Sequence, residues 1–312
     1  MMKKFIKTSY IVFFILALLS SKALAVPTFV TNHDVISSQE DEPRGIKFNN
    51  DGTKMFIVGW EGDDVNEYTL STAWDVSTAT FVDKTTVMKS SVDNDARDVE
   101  FNSDGTKMFV LGRGNDKVYA FSLSTGFDVS TASSVNNFSI ADEEISSNGL
   151  AFNLDGTKMF VLGSNSPHVH EYTLSTGFDL STASYAGDGE RFSVSQDTYP
   201  IDLDFNSDGT KMYVVGWGDN DIHEYTLSTA FDVSTASFVG SFSVSDQDDD
   251  PAALAFSSDG SKMFVVGDID NDIIEYKLSC YYGVINCTDP TSDKDDVASI
   301  ESQTESAKQL IQ

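Results

Sequence analysis

Apolar residues in this chain come in short runs broken by polar turns, and the same order of runs is written five times. In the first copy the runs are IKF, TKMFIVG, VNEYTL and ATFV. Their period-two alternation and their β-branched and aromatic content predict four short strands. The most regular phrase, FNNDGTKMFIVG, starts at Phe48 and returns with small changes from Phe101, Phe152, Phe205 and Phe256, at steps of 53, 51, 53 and 51 residues. A unit of about fifty residues holding four antiparallel strands is a propeller blade. Asp-Gly in the turn between the first two strands supplies the positive φ of a tight hairpin, at Gly52, Gly105, Gly156, Gly209 and Gly260. No helical period of comparable strength precedes residue 293, which excludes an α-solenoid.

The two ends of the repeat region complement each other. The segment TFVTNHDVISS from Thr28 has no blade before it, yet it aligns with TFVDKTTVMKSS from Thr80 and SFVGSFSVSD from Ser237. The fifth copy has three strands and loses the pattern at Cys280. The orphan segment, near Phe29 to Ile36, is therefore expected to complete the blade that holds Lys262 to Leu278. The predicted fold is all-β: a five-bladed β-propeller of four-stranded antiparallel blades, closed by its N-terminal strand so that no edge stays open. Its boundaries fall at 26–288, after a leader at 1–25 and before an acidic tail at 289–312.

The leader has Lys3, Lys4 and Lys7, then IVFFILALL, then Ala23-Leu24-Ala25, the pattern of a secretory signal peptide cleaved after Ala25. No later stretch has the apolar length of a membrane helix. The expected location is secreted, periplasmic or at the cell surface. In such a compartment Cys280 and Cys287, the only cysteines, read as one small disulfide loop at the exit of the fifth blade. In the tail, Val297, Ile300, Thr304, Ala307 and Ile311 follow heptad spacing, which predicts a short helix from Ser292 or Asp293 and makes 293–312 a candidate self-association segment. The chain carries 20 basic against 49 acidic residues, a net charge of −29. Such a surface repels nucleic acid and favours cations or neutral ligands.

Comparison of the five copies with one another locates the candidate chemistry. The turns after the first and third strands, NSDGTK and STAFDVSTA, are nearly invariant, while the loops after the second strand and the links between blades differ in every copy. Uniform turns serve folding; divergent loops on one face suit a binding surface. On that face Trp60 and Trp217 occupy equivalent positions and offer rings to a sugar or an apolar side chain. Arg113 opens the corresponding loop of the second copy, and Arg44 and Arg97 stand just before innermost strands. Asp268, Asp270 and Asp272 alternate in the manner of calcium loops, with Asp248 to Asp250 arriving on the same side, so the candidate cofactor is Ca2+. His168 and His170 share a strand face and His223 matches His170; because Asn66 and Tyr119 fill that slot elsewhere, an ordinary exposed strand position is predicted. Asp98, Glu100, Asp202 and Asp204 lie on innermost strands, where a channel glycosidase would place its acids. No GxSxG, HExxH or cysteine nucleophile is present.

The phrase SDGTKMFVVG followed by an EYTLS strand resembles the repeats of YVTN and lactonase-like β-propellers, many of them exported bacterial proteins. The resemblance runs from Thr28 to Leu278 and implies the propeller fold; lactonase-like members usually have more blades than five. The stretch GVINCTDPTSDKDD leading into ESQTESAKQLIQ resembles the link between a repeat passenger and a surface-anchoring region of autotransporter type. Together these readings predict an exported, non-catalytic binding or scaffold propeller that shows a variable acidic loop face to a protein or glycan partner. The alternative is a channel-sited hydrolase, a glycosidase or lactonase, using Asp98, Glu100, Asp202 and Asp204.

Overall fold

The computed structural model describes residues 27–278 apart from 61, 63 and 86–91. The leader, the cysteine pair, and the tail with its expected helix lie outside the described residues. No helix among the described residues is long and apolar enough to cross a membrane.

Five antiparallel sheets form the five blades of a β-propeller. Blade 1 runs Pro43–Phe48, Lys54–Gly59, Val65–Leu70 and Ala79–Lys84 from the axis outward. Blade 2 follows with Ala96–Phe101, Lys107–Gly112, Lys117–Leu123 and Ala132–Ser139. Blade 4 has the same plan in Pro200–Phe205, Lys211–Gly216, Asp221–Leu227 and Ala236–Ser243. Blade 3 is built from Ser147–Phe152, Lys158–Gly163 and His168–Leu174, but its outer strand is split into Ala183–Tyr185 and Phe192–Ser193 around a 3-10 turn at Asp188–Glu190. That link is two residues longer than the one after Ala132, which accounts for one of the 53-residue steps.

Blade 5 contributes Pro251–Phe256, Lys262–Gly267 and Ile273–Lys277, and its outer strand is the N-terminal Thr28–His33. Thr28 faces Lys277 and His33 faces Ile273, antiparallel, with a bulge between Phe29 and Thr31. The predicted closure is thus borne out. The strand stops at His33 rather than Ile36, because Ile36 turns inward and is fully buried in the core between blades 5 and 1.

Alternation explains why the blades need each other. In the second strand of blade 1, Met55 and Ile57 point into the core shared with blade 5, while Phe56 and Val58 point into the core shared with blade 2. Every blade repeats this, so five apolar clusters lie between neighbouring blades. At each junction an aromatic ring of one second strand meets the Phe that ends the next innermost strand, at 4.4–4.7 Å between centroids. The pair Phe48–Phe264, at 4.7 Å, joins the last blade to the first with the spacing of the other four.

The near-invariant phrases clasp the turn face. Gly52 has φ +70, and a Cβ there would fall 2.3 Å from the Trp74 ring, so the turn glycine doubles as the seat of the aromatic in the STAFDVSTA phrase. The lysine of TKM bonds across to the next blade: Lys54 Nζ donates to the Phe127 carbonyl and Lys262 Nζ to that of Trp74, at 2.6 and 2.7 Å. The same ammonium groups sit 2.6 and 2.7 Å from Glu67 and Glu275, the acids of the EY strands. These phrases recur because each blade must grip the next.

Candidate functional site

Around the axis, equivalent positions of the innermost strands hold Gly45, Asp98, Gly149, Asp202 and Ala253. The acids alternate with residues of little or no side chain. A Cβ on Gly45 would lie 2.9 Å from Asp98 Oδ1, and one on Gly149 would lie 3.0 Å from Asp202 Oδ1, so each Asp occupies space its neighbour leaves. Asp98 Oδ1 accepts the N–H of Val99 at 2.7 Å and Oδ2 accepts that of Leu150, in blade 3, at 2.7 Å. Asp202 repeats this with Leu203 at 2.7 Å and Leu254, in blade 5, at 2.9 Å. Two of the four candidate catalytic acids therefore clasp blades through the backbone.

Glu100 and Asp204 are two residues further along. Lys47 Nζ reaches Glu100 Oε1 at 2.7 Å and Asp204 Oδ1 at 3.6 Å, linking blades 1, 2 and 4 across the channel. Burial acts against the Lys47 ammonium, but Asp204 and Glu100 hold its pKa above the ordinary value. Burial pushes Asp98 and Asp202 well up; for Asp98 the charges of Asp202 and Glu100 add to it. Glu100 is pushed up to about 7 by burial, with Lys47 opposing and Asp204 adding. Lys47 and Asp204 open, on the turn face, into a cavity of about 430 Å3 lined also by Trp74, Tyr213 and Phe256.

This shift sets a pH dependence. Between its ordinary value of 4.5 and about 7, Glu100 holds a proton in the folded chain that the unfolded chain has lost. Its contribution to stability is present below that window and is lost as pH rises through it. The fold should thus gain about 1 kcal/mol from this group between pH 8 and pH 6.5, and its melting temperature should rise accordingly. His170, pushed down to about 4 by burial, acts in the opposite sense at lower pH. The comparison is therefore made with Glu100→Gln, whose melting temperature should change less over that interval.

The loop-face mouth gathers four of the five predicted ligand residues. Arg44 is 7% exposed, with Nη1 2.6 Å from Asp268 Oδ2 of blade 5 and Nη2 3.1 Å from Glu42 Oε2. Its guanidinium carbon stands 5.4 Å from the centroid of Trp217 in blade 4. Tyr199 stacks on Trp217 at 5.4 Å and 2°. Arg97 is held by both oxygens of Asp95, at 2.6 and 3.1 Å; burial lowers its pKa, and the charges of Arg113 and Arg44 add to this while Asp95 opposes. Arg113 makes two long contacts, 3.5 Å to Asn148 Oδ1 and 3.4 Å to Ser146 Oγ. It also faces Tyr199: burial acts to raise the phenol's pKa, yet the guanidinium holds it below the ordinary value. Trp60, whose backbone N–H donates to the carbonyl of Glu42 in the link that carries Arg44, is 47% exposed. The two tryptophans, equivalent in sequence, thus differ: Trp60 is exposed, and Trp217 contacts Tyr199 and Arg44.

The three aspartates of the expected calcium loop take different partners. Asp268 turns to Arg44, Asp270 is exposed, and Asp272 is buried beside Asp248, both acids being raised by burial first, Asp248 to about 6. Among the described residues, the groups of three acids or histidines that do meet are Asp197, Asp219 and His223, and Glu171, Glu190 and Asp232. The exposed position expected for the strand histidines is corrected: His170 and His223 are each 2% exposed. They face an acid that sequence reasoning overlooked. Glu40, Asp93, Glu144, Asp197 and Asp248, one per blade link, are all buried and stand 53, 51, 53 and 51 residues apart, in step with the repeat. Each packs against the glycine that ends a second strand, where a Cβ would come within 2.4 Å of it.

No family model and no curated protein matches the chain. Among solved structures, a protein from Lactobacillus plantarum is similar with a TM-score of 0.47 and 15% identity, over 75% of this chain and 67% of its own. A protein from Bacteroides uniformis, named as a candidate 6-phosphogluconolactonase, gives 0.49 and 13% over 77% of this chain and 68% of its own. One from Bacteroides fragilis with the same designation gives 0.46 and 13% over 76% and 71%. Likeness at this level bears on no individual residue of the chain.

Proposed function

We propose that this is an exported, non-catalytic propeller that binds a carboxylate-bearing glycan at the loop-face mouth of its channel. The observation that carries the reading is Arg113. In a chain with 49 acidic residues it forms no ion pair among the described residues, and it is held at the mouth by Asn148, Ser146 and Tyr199. A guanidinium so placed is a fork for a planar carboxylate, and the exposed ring of Trp60 adds a rim contact. Arg44 and Arg97, already matched by Asp268, Glu42 and Asp95, hold the mouth's shape.

A second reading has its own observation. Lys47 and Asp204 line the turn-face cavity, and Glu100, bonded to Lys47, is a carboxyl near pKa 7 of the kind that suits general acid–base work. It is the residue set of a channel hydrolase reduced to Glu100 and Asp204, since Asp98 and Asp202 are engaged by backbone.

The two readings separate in one paired experiment, a glycan array and a screen on lactones and glycosides with the same preparations. Binding to uronate-containing glycans should fall about 10–100-fold in Arg113→Met, less in Trp60→Ala, and not at all in Glu100→Gln. Binding that survives Arg113→Met rules out the mouth as the site. Turnover that disappears in Glu100→Gln would establish the hydrolase instead.

A further inference from the structure

The buried acid at the entrance of each blade faces a different partner in each copy, and in blade 4 the partners form a ligand set. Asp197 has a fully buried side chain. Its Oδ1 accepts the N–H groups of Tyr199 and Gly218, which fix the carboxylate's orientation. Its Oδ2 has no hydrogen-bond partner and lies 3.7 Å from His223 Nε2. Both ring nitrogens of His223 also lack hydrogen-bond partners, and Nε2 is 3.4 Å from Asp219 Oδ1. These separations are longer than a well-formed N–H···O bond. The shorter one equals the edge of a tetrahedron of N and O ligands about 2.0–2.1 Å from a common ion, about 3.3–3.4 Å, and the longer exceeds that edge by about 0.3 Å, a gap that a small rotation of the imidazole closes. Gly216 is what lets the acid in, since a Cβ there would fall 2.4 Å from the Asp197 carboxyl carbon.

The other blades serve as internal controls. In blade 2 the equivalent acid, Asp93, is fully engaged by Gly114 and Asn115 N–H groups and by the Tyr119 hydroxyl, at 3.1–3.2 Å. Blade 3 keeps the imidazole, with His170 Nε2 3.9 Å from an unpartnered Glu144 Oε2, but has Ser166 where blade 4 has Asp219. Blade 5 has Ile274 in place of the histidine. Blade 4 alone combines imidazole with two carboxylates, and Asp219, 44% exposed, gives the set an opening to solvent.

We propose that Asp197, Asp219 and His223 bind one divalent transition-metal ion of the zinc class on the loop face of blade 4. An imidazole nitrogen in the set selects such ions over calcium and magnesium, which prefer all-oxygen sites. The inference is independent of glycan binding at Arg113.

The test uses the untagged, chelator-treated full chain. Cobalt(II) should bind at one equivalent with the visible absorption of a four-coordinate ion, and zinc should displace it. Zinc should raise the melting temperature at fixed ionic strength, and calcium at equal concentration should not. Asp219→Asn, at an exposed position, leaves the fold intact and should weaken cobalt binding at least 10-fold; His223→Gln should abolish the band, and His170→Gln should leave it unchanged. Three results overturn the proposal: no cobalt band in the parent chain, as for a plain imidazolium ion pair; a band that persists in both blade 4 variants; or calcium stabilising as much as zinc.

Discussion

A chain that starts at Asp34, without Thr28–His33, should melt about 10–20 °C lower and associate through its open blade. The strand makes an antiparallel ladder with Ile273–Lys277, five partnered positions in all. At about 1 kcal/mol net per backbone hydrogen bond, the loss is about 5 kcal/mol, and 1 kcal/mol shifts a domain of this size by about 2–4 °C. Apolar burial adds little, because the strand is mostly exposed and its main ring contact is Phe29 against Tyr276 at 6.1 Å. The larger consequence is kinetic and colloidal: the Ile273–Lys277 edge would present unpaired N–H and C=O groups to a second chain. Size-exclusion chromatography and a thermal melt check both effects, and a synthetic TFVTNH peptide added in trans should reverse them. An unchanged melt and an unchanged elution would mean that the Phe48–Phe264 junction closes the ring without the strand.

The ring was legible because its determinants are local and repeated. Period-two runs, the Asp-Gly turns and an orphan strand at one end matching a missing one at the other are all visible without knowing a single contact. The channel was not legible, because a sequence gives residue types and not their partners: Asp98 and Asp202 look like catalytic acids until Leu150 and Leu254 N–H groups are seen on them. The partners of the candidate calcium loop were hidden for a related reason. Alternate residues share a direction in a strand, but the chain at 268–270 is a bend, so Asp268 turns to Arg44 while Asp272 lies beside Asp248 with the charge of Asp270 acting on both. Trp217 matched Trp60 in register, yet Tyr199 beneath it comes from a link whose sequence is unique to that blade. The buried link acids did leave a readable signal. Links that otherwise vary keep one Asp or Glu in step with the repeat, and the histidines of blades 3 and 4 face that acid.

Replacing Asp98 or Asp202 by Asn should lower stability by about 1–3 kcal/mol each, or about 2–12 °C in melting temperature. Two effects compete, and their sign differs. Asp98 is buried close to Asp202 and Glu100, so removing its charge relieves desolvation and repulsion and by itself would stabilise the fold. Against this, each carboxylate oxygen accepts a backbone N–H, one from its own strand and one from the next blade. An amide has one oxygen, so in either rotamer its NH2 group faces an N–H donor and leaves that group buried without an acceptor. The clasp is expected to dominate, because the donors left without an acceptor belong to Val99, Leu150, Leu203 and Leu254, all buried. Thermal melts of Asp98→Asn, Asp202→Asn and the double variant decide the matter. A higher melting temperature would show that these acids are held in a strained, like-charged arrangement, as a catalytic pair is, and would return the channel to consideration as an active site.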